Sequence, residues 1–126
     1  MVDNKYKILV VEDDQFIRDL YVELLKDEGY KVDSGKNGVE GYEKMSKGGY
    51  DLVLLDIIMP KMDGMQVMVK LSENPPKKLN KHIIFMTNLG EDKTLNEGKK
   101  LGVESHLTKS DLTPDQFLEK VALTLK

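Results

Sequence analysis

A chain of 126 residues with 40% hydrophobic content has the length of one domain and enough apolar material to fill a core. It has no cysteine, which excludes disulfides, thiolate metal sites and thiol catalysis. Net charge is −3 with the two signs mixed, and no long basic block points to nucleic-acid binding through phosphates.

The first element is the run Ile8-Leu9-Val10-Val11, a strand apolar enough to be buried on both faces, ending at Glu12-Asp13. Asp14 can cap a helix from Gln15 to about Glu28, with Phe16, Leu20 and Leu24 on its apolar stripe and Gly29 as its stop. A short second strand is predicted near Tyr30–Val32 and a weak helix from Gly38 to Lys47, before Gly48-Gly49. Leu52-Val53-Leu54-Leu55 is the third strand and ends at Asp56. The loop Ile57–Asp63 holds Met59-Pro60, where proline blocks both ladder and helix. Asp63 caps a third helix carrying Met65, Met68 and Leu71, which Pro75-Pro76 terminates.

The fourth strand, Ile83-Ile84-Phe85-Met86, ends at Thr87. The helix after it, about Glu91 to Lys100, has a thin stripe and contains Gly98, which costs about 1 kcal/mol against alanine. Ser105–Thr108 is the fifth strand and ends at Lys109. The last helix is well signalled: Thr113 as cap, Pro114 at the first position, and Phe117, Val121 and Leu125 facing inward. The short pairs Lys77-Lys78 and Lys99-Lys100 read as solvated surface. Five strand–helix repeats in strict alternation require right-handed crossovers and an α/β fold: a parallel sheet with helices on both faces, as a single domain over 1–126. No stretch approaches the length of a membrane span, and the opening residues lack a signal-peptide core, so a cytoplasmic location is expected.

Parallel strands place their C-terminal ends on one sheet edge, where open α/β sheets bind ligands. Glu12, Asp13, Asp56, Thr87 and Lys109 would meet there. Two carboxylates about 5 Å apart repel by about 3 kcal/mol at an effective dielectric near 20, so the cluster calls for a cation. Hard oxygen donors select Mg²⁺, with Mn²⁺ as a substitute. A carboxylate beside such an ion can attack phosphorus and form an acyl phosphate. A lysine ammonium and a threonine hydroxyl supply the charge and hydrogen bond that phosphoryl oxygens need. Taken singly, each residue also has a plain reading: Asp56 as a loop cap, Thr87 as a strand-end hydroxyl, Lys109 as surface.

The strand with Glu12-Asp13, the segment Asp51–Gly64 around Asp56, Met86-Thr87 and Lys109 together resemble the receiver domain of bacterial response regulators, in particular single-domain chemotaxis-type regulators. The resemblance covers residues 5–125. It implies a flavodoxin-like doubly wound sheet of strand order 2-1-3-4-5. It implies that Asp56 accepts a phosphoryl group from a phosphohistidine on a sensor kinase or phosphotransfer protein. Asp13, Asp56 and the backbone carbonyl of Ile58 would ligate Mg²⁺, with Glu12 acting mainly through water. Thr87 and Lys109 would bind phosphoryl oxygens. Thr87 would then move and repack the face of the fourth helix, fifth strand and fifth helix, changing contact with a downstream protein or output domain. Such a protein is no enzyme beyond its own phosphoryl transfer and slow self-hydrolysis, and this chain is expected to touch neither nucleic acid nor membrane.

Three positions depart from the family pattern. His106 stands where a rotating Tyr or Phe is usual, and is expected to report the switch at the partner face. Ser110 replaces a proline that usually follows a cis bond, so Lys109–Ser110 is expected to be trans. Asn88 replaces a small residue and is expected to crowd the path of Thr87. Ile58 and Leu89, both apolar, would flank the phosphoryl group without positioning water, which predicts a long-lived phosphoryl state. A Mg²⁺-dependent phosphohydrolase with an Asp nucleophile would commonly carry a second Asp at the Ile58 position. A nucleotide or flavin module would be repelled by Glu12-Asp13-Asp14. A degenerate receiver, binding partners without phosphorylation, is the remaining alternative.

Overall fold

The structure, a computed structural model, describes residues 6–88 and 92–126; Leu89 therefore lies outside the described residues, as does Glu91. Strands and helices alternate: β1 Lys7–Val11, α1 Gln15–Asp27, β2 Lys31–Gly35, α2 Gly38–Lys47, β3 Leu52–Asp56, α3 Gly64–Glu73, β4 His82–Thr87, α4 Asp92–Lys100, β5 Ser105–Thr108 and α5 Pro114–Leu125. All pairings are parallel and the strand order is β2-β1-β3-β4-β5. The fold class and order expected from the sequence are those observed.

Side chains of a strand alternate between faces, and here each face has its own core. Leu9, Val11, Val53, Leu55, Ile83 and Phe85 point to the side of α2, α3 and α4, where they meet Met45, Val67, Met68 and Leu95. Ile8, Val10, Leu52, Leu54, Ile84 and Met86 point to α1 and α5, against Leu25, Phe117, Val121 and Leu125. Each fully buried aliphatic side chain of this kind stabilises by about 1.5–3 kcal/mol. That coverage of both faces is why the strands could be read as unbroken apolar runs.

The caps fall where expected. Asp14 accepts from the Ile17 N–H, Asp63 and Thr113 form capping boxes with Gln66 and Gln116, and Pro114 opens α5. The stripe of α1 does not. Leu25 is its fully buried residue, with Tyr21, Val22 and Leu24 packed partly beside it, whereas Leu20 is exposed and Phe16 is 81% exposed. The helix is rotated so that Phe16 faces solvent beside the C-terminal edge of the sheet. β2 is also longer than Tyr30–Val32. Its polar half is paired: the Lys44 ammonium and the Tyr50 hydroxyl both donate to the Asp33 carboxylate, at 2.7 and 2.9 Å. Those contacts hold the Asp33 carboxyl below its usual range despite burial, and burial together with Asp33 pushes the Tyr50 hydroxyl up.

His82 is partly buried as the first residue of β4 and pairs with Glu104 at 2.5 Å. Gly98, the weak point of α4 in propensity, serves packing: a Cβ there would lie 2.4 Å from Cε2 of Phe85. No helix among the described residues is long and apolar enough to cross a membrane.

Candidate functional site

The register brings the functional residues to one edge. Val11 pairs with Leu55, Asp56 with Met86, and Thr87 with Thr108, so β1, β3, β4 and β5 end together. Backbone hydrogen bonds carry the ladders one residue further, from the Glu12 N–H to Gly35 O (3.1 Å) and from the Ile57 N–H to Met86 O (3.0 Å). A pocket of about 250 Å³ opens there, lined by Glu12, Asp13, Asp56, Ile58, Thr87 and Lys109 together with Asp14, Ile17 and Asn88. The five side chains that the sequence singled out share this pocket.

Glu12 and Asp56 are almost completely buried, as is Thr87, while Asp13 is exposed at the rim. Carboxylate oxygens of Glu12, Asp13 and Asp56 lie within 4.8 Å of one another. The Lys109 ammonium reaches across from the end of β5, 2.9 Å from Asp56 Oδ2, and forms an ion pair with Glu12 Oε1. The other Glu12 oxygen accepts from the Asp14 N–H at 3.1 Å. Burial pushes the Asp56 carboxyl up to about 7; Lys109 opposes this and the negative charge of Glu12 adds to it. Burial disfavours the charged form of Lys109 too, but hydrogen bonds to Glu12 and Asp56 override it and its pKa is raised. One ammonium among three carboxylates leaves an excess of negative charge in a small volume, and the donors are all hard oxygens. The set fits a divalent cation of the Mg²⁺ type.

The surroundings fix this geometry. A Cβ at Gly64 would lie 2.5 Å from the backbone oxygen of Asp56, so glycine lets α3 begin directly against the end of β3. The Gly64 N–H donates to Ile57 O at 2.8 Å. Between them the loop turns sharply: Lys61 has φ 68°, and the Met62 N–H donates to Pro60 O at 2.8 Å, closing a γ-turn. Arg18, one turn into α1, donates to the backbone oxygens of Glu12 (2.8 Å) and Asp13 (3.4 Å). The sequence reading missed Arg18; its signal was a basic residue four positions after a helix cap that itself follows the acidic pair.

The remaining positions are placed as follows. Ile58 lies on the pocket wall with its side chain 70% exposed. Asn88 is exposed at the pocket edge. His106 is exposed on the edge strand β5, paired in register with Phe85. Among the described residues there is no cis peptide bond, so Lys109–Ser110 is trans, and Lys109 opens a short 3-10 turn to Asp111.

Fold and site together define a doubly wound α/β domain with a carboxylate cluster at the C-terminal edge of its parallel sheet. Residues 8–122 match the response regulator receiver domain family. The chain is 35% identical to the chemotaxis protein CheY of Treponema pallidum, over 96% of this chain and 83% of that protein. It is 37% identical to the transcriptional regulatory protein DltR of Streptococcus agalactiae, over 93% of this chain but only 50% of that protein. Among solved structures it is similar to a CheY-like receiver domain protein from Methanospirillum hungatei (TM-score 0.82, 28% identity, 95% of this chain and 93% of that one). Similar again is CheY4 of Vibrio cholerae (TM-score 0.80, 27% identity, 95% and 98%). The chain belongs to the receiver-domain family of two-component response regulators, whose members are signalling proteins rather than classical enzymes.

Proposed function

We propose that this protein is a phosphorylation-dependent switch in which Asp56 takes the phosphoryl group. The observation that carries the reading is the Lys109 ammonium held between the carboxylates of Asp56 and Glu12 at the mouth of a pocket that Asp13 and Thr87 also line. An Asp56 carboxylate oxygen attacks the phosphorus of a phosphohistidine on a sensor kinase or phosphotransfer protein. The new O–P bond forms as the P–N bond breaks, and that electron pair returns to the donor imidazole. Water later cleaves the acyl phosphate, restoring the carboxylate and releasing phosphate.

Asp13, Asp56 and the backbone carbonyl of Ile58 would hold Mg²⁺, with Glu12 acting mainly through bound water and Mn²⁺ as a substitute. When bound, the ion neutralises charge on the phosphoryl oxygens and on the cluster. Lys109 and Thr87 each bind a phosphoryl oxygen, one by charge and one by hydroxyl donation. Thr87 and His106 carry the change to the α4–β5–α5 face, which alters binding of a downstream protein or output domain. Ile58 and Leu89 offer no group to orient water, so self-hydrolysis is slow. Ile58, an exposed apolar side chain, lines the pocket where the donor would approach, and Phe16, next to the lining residue Ile17, is exposed as well. The work is done in the cytoplasm, and no other substrate is turned over.

Acetyl phosphate with Mg²⁺ tests this. Intact mass should rise by one phosphoryl group in the wild type and not in Asp56→Asn. A folded wild-type protein that gains no mass would instead support a degenerate receiver acting by contact alone. A phosphoryl lifetime of only seconds without a phosphatase would refute the assigned role of Ile58 and Leu89.

A further inference from the structure

The segment between α3 and β4 shapes a second depression, at the sheet edge opposite the carboxylate cluster. The hollow has a volume of about 270 Å³. Its floor is apolar, made by Met68 and Leu71 of α3 and Ile83 of β4, and the end of α4 at Leu101-Gly102 closes one side. Leu79 forms the lip and is 74% exposed. A leucine left that open on a loose loop would mean little. This loop is pinned: the Lys77 N–H donates to Ser46 O (2.9 Å), the Gly49 N–H to Leu79 O (3.3 Å), and the Lys81 N–H to Tyr50 O (2.9 Å). The buried Asn80 side chain also donates to Met45 O at 3.0 Å. Leu79 is thus presented in fixed position, and a partner need not order it on binding.

The segments next to the lining residues are rich in lysine. From Pro75 to His82 the chain carries Lys77, Lys78 and Lys81 and no carboxylate, and α4 ends in Lys99-Lys100 just before Leu101. Lys81 pairs with Asp51 at 3.5 Å, and nearby Glu104 is engaged by His82. The other four lysines are exposed and enter no ion pair among the described residues. Read along the sequence, these pairs were ordinary surface; in the fold, Lys77-Lys78 sit between the lining residues Pro76 and Leu79, and Lys99-Lys100 come just before the lining residue Leu101.

We propose that this hollow is a docking site for an acidic amphipathic segment of a partner protein. An apolar side chain of the segment sits against Leu79 over Met68, Leu71 and Ile83. Carboxylates beside it meet Lys77, Lys78, Lys99 and Lys100. Because the hollow and the Asp56 pocket occupy opposite sheet edges, the partner and a phosphodonor can be bound together. The site stands independently of the role assigned to Asp56.

The test is an amide NMR titration of the full chain with a short synthetic peptide in which Leu and Phe alternate with Asp and Glu. Saturable binding is expected, with shifts centred on Leu71, Leu79, Ile83 and Leu101, and weakening as salt rises. Leu79→Asp and the pair Lys77→Glu with Lys78→Glu should each weaken binding about tenfold or more, as a change of about 1.4 kcal/mol would. All of these positions except Leu71, Ile83 and Leu101 are exposed, and circular dichroism checks that each variant is folded. The proposal is overturned if binding is absent, if neither variant weakens it, or if a peptide with Lys in place of Asp and Glu binds equally well. It is also overturned if sedimentation shows a dimer that Leu79→Asp abolishes, since the occupant would then be a second copy.

Discussion

Asp56 is buried next to another carboxylate, and that position has a cost in the metal-free protein. Its carboxyl titrates near 7 instead of about 4. A carboxyl whose folded pKa is raised contributes stability at pH below its unfolded value, and loses that contribution as pH rises through the folded value. Between about pH 4 and 7, therefore, the metal-free wild type should become less stable from this group. Asp56→Asn removes the titration, so its melting temperature should fall less over the same range; parallel curves for the two proteins would contradict this. Lys109 poses the converse case. Its ammonium is the cation between Glu12 and Asp56, and removing one member of a buried charge set typically costs 3–5 kcal/mol. Lys109→Met should lower stability by about 3 kcal/mol in urea denaturation at pH 8 without divalent cation, and Mg²⁺ should restore part of the loss. No loss at pH 8 would mean that the pair contributes nothing net.

At the scale of elements, α4 shows a conflict between propensity and packing. Replacing Gly98 by alanine gains about 1 kcal/mol in helix propensity. The added methyl would lie 2.4 Å from the ring of Phe85, which is fully buried in the middle of the sheet and has nowhere to go. Overpacking typically costs 1–3 kcal/mol, so Gly98→Ala should be destabilising by about 1 kcal/mol despite the better helix former. Phe85→Leu should destabilise as a single change, yet the double variant should be more stable than the two losses predict. A double-mutant cycle in urea measures that coupling, and additive losses would remove Phe85 as the reason for the glycine. The same contact shows what the sequence could and could not reveal. Strands buried on both faces, caps at Asp14, Asp63 and Thr113, and the polar residue at the end of each of the runs that lead to Glu12, Asp56, Thr87 and Lys109 follow from local chemistry and were legible. The partner of Gly98 is thirteen residues away on another element (98 − 85), and nothing local to α4 names it. For the same reason β2 was read too short, since Asp33 looks like a strand breaker until Lys44 and Tyr50 are seen to satisfy it. The α1 stripe was misread because Phe16 and Leu20 fit a helical period that packing against α5 did not select; Tyr21, stacked on Phe117 at 4.6 Å, took their place. The lysines around the second hollow carried no signal at all until the fold set them beside it.

For the molecule as a whole, the proposed metal site would make folding and Mg²⁺ binding one equilibrium. Unfolding separates β1 from β3 and scatters Glu12, Asp13 and Asp56, so Mg²⁺ held by this set would bind the native state and leave the unfolded chain almost untouched. A ligand at a hundred times its Kd then adds about 2.7 kcal/mol, which for a domain of this size is several degrees in melting temperature. Binding requires the carboxylates to be ionised, and the Asp56 proton competes with the metal. The rise in melting temperature at a fixed millimolar Mg²⁺ should therefore grow from pH 5.5 to pH 8, on the order of a few degrees, with most of the change around 7. Asp13→Asn, which removes an exposed ligand without creating a buried charge, should cut the rise at every pH and leave the metal-free melting temperature nearly unchanged. Differential scanning calorimetry with and without Mg²⁺ reads both. A rise that is the same at pH 5.5 and 8, or the same in Asp13→Asn, would place the ion elsewhere and detach the buried carboxylates from metal binding altogether.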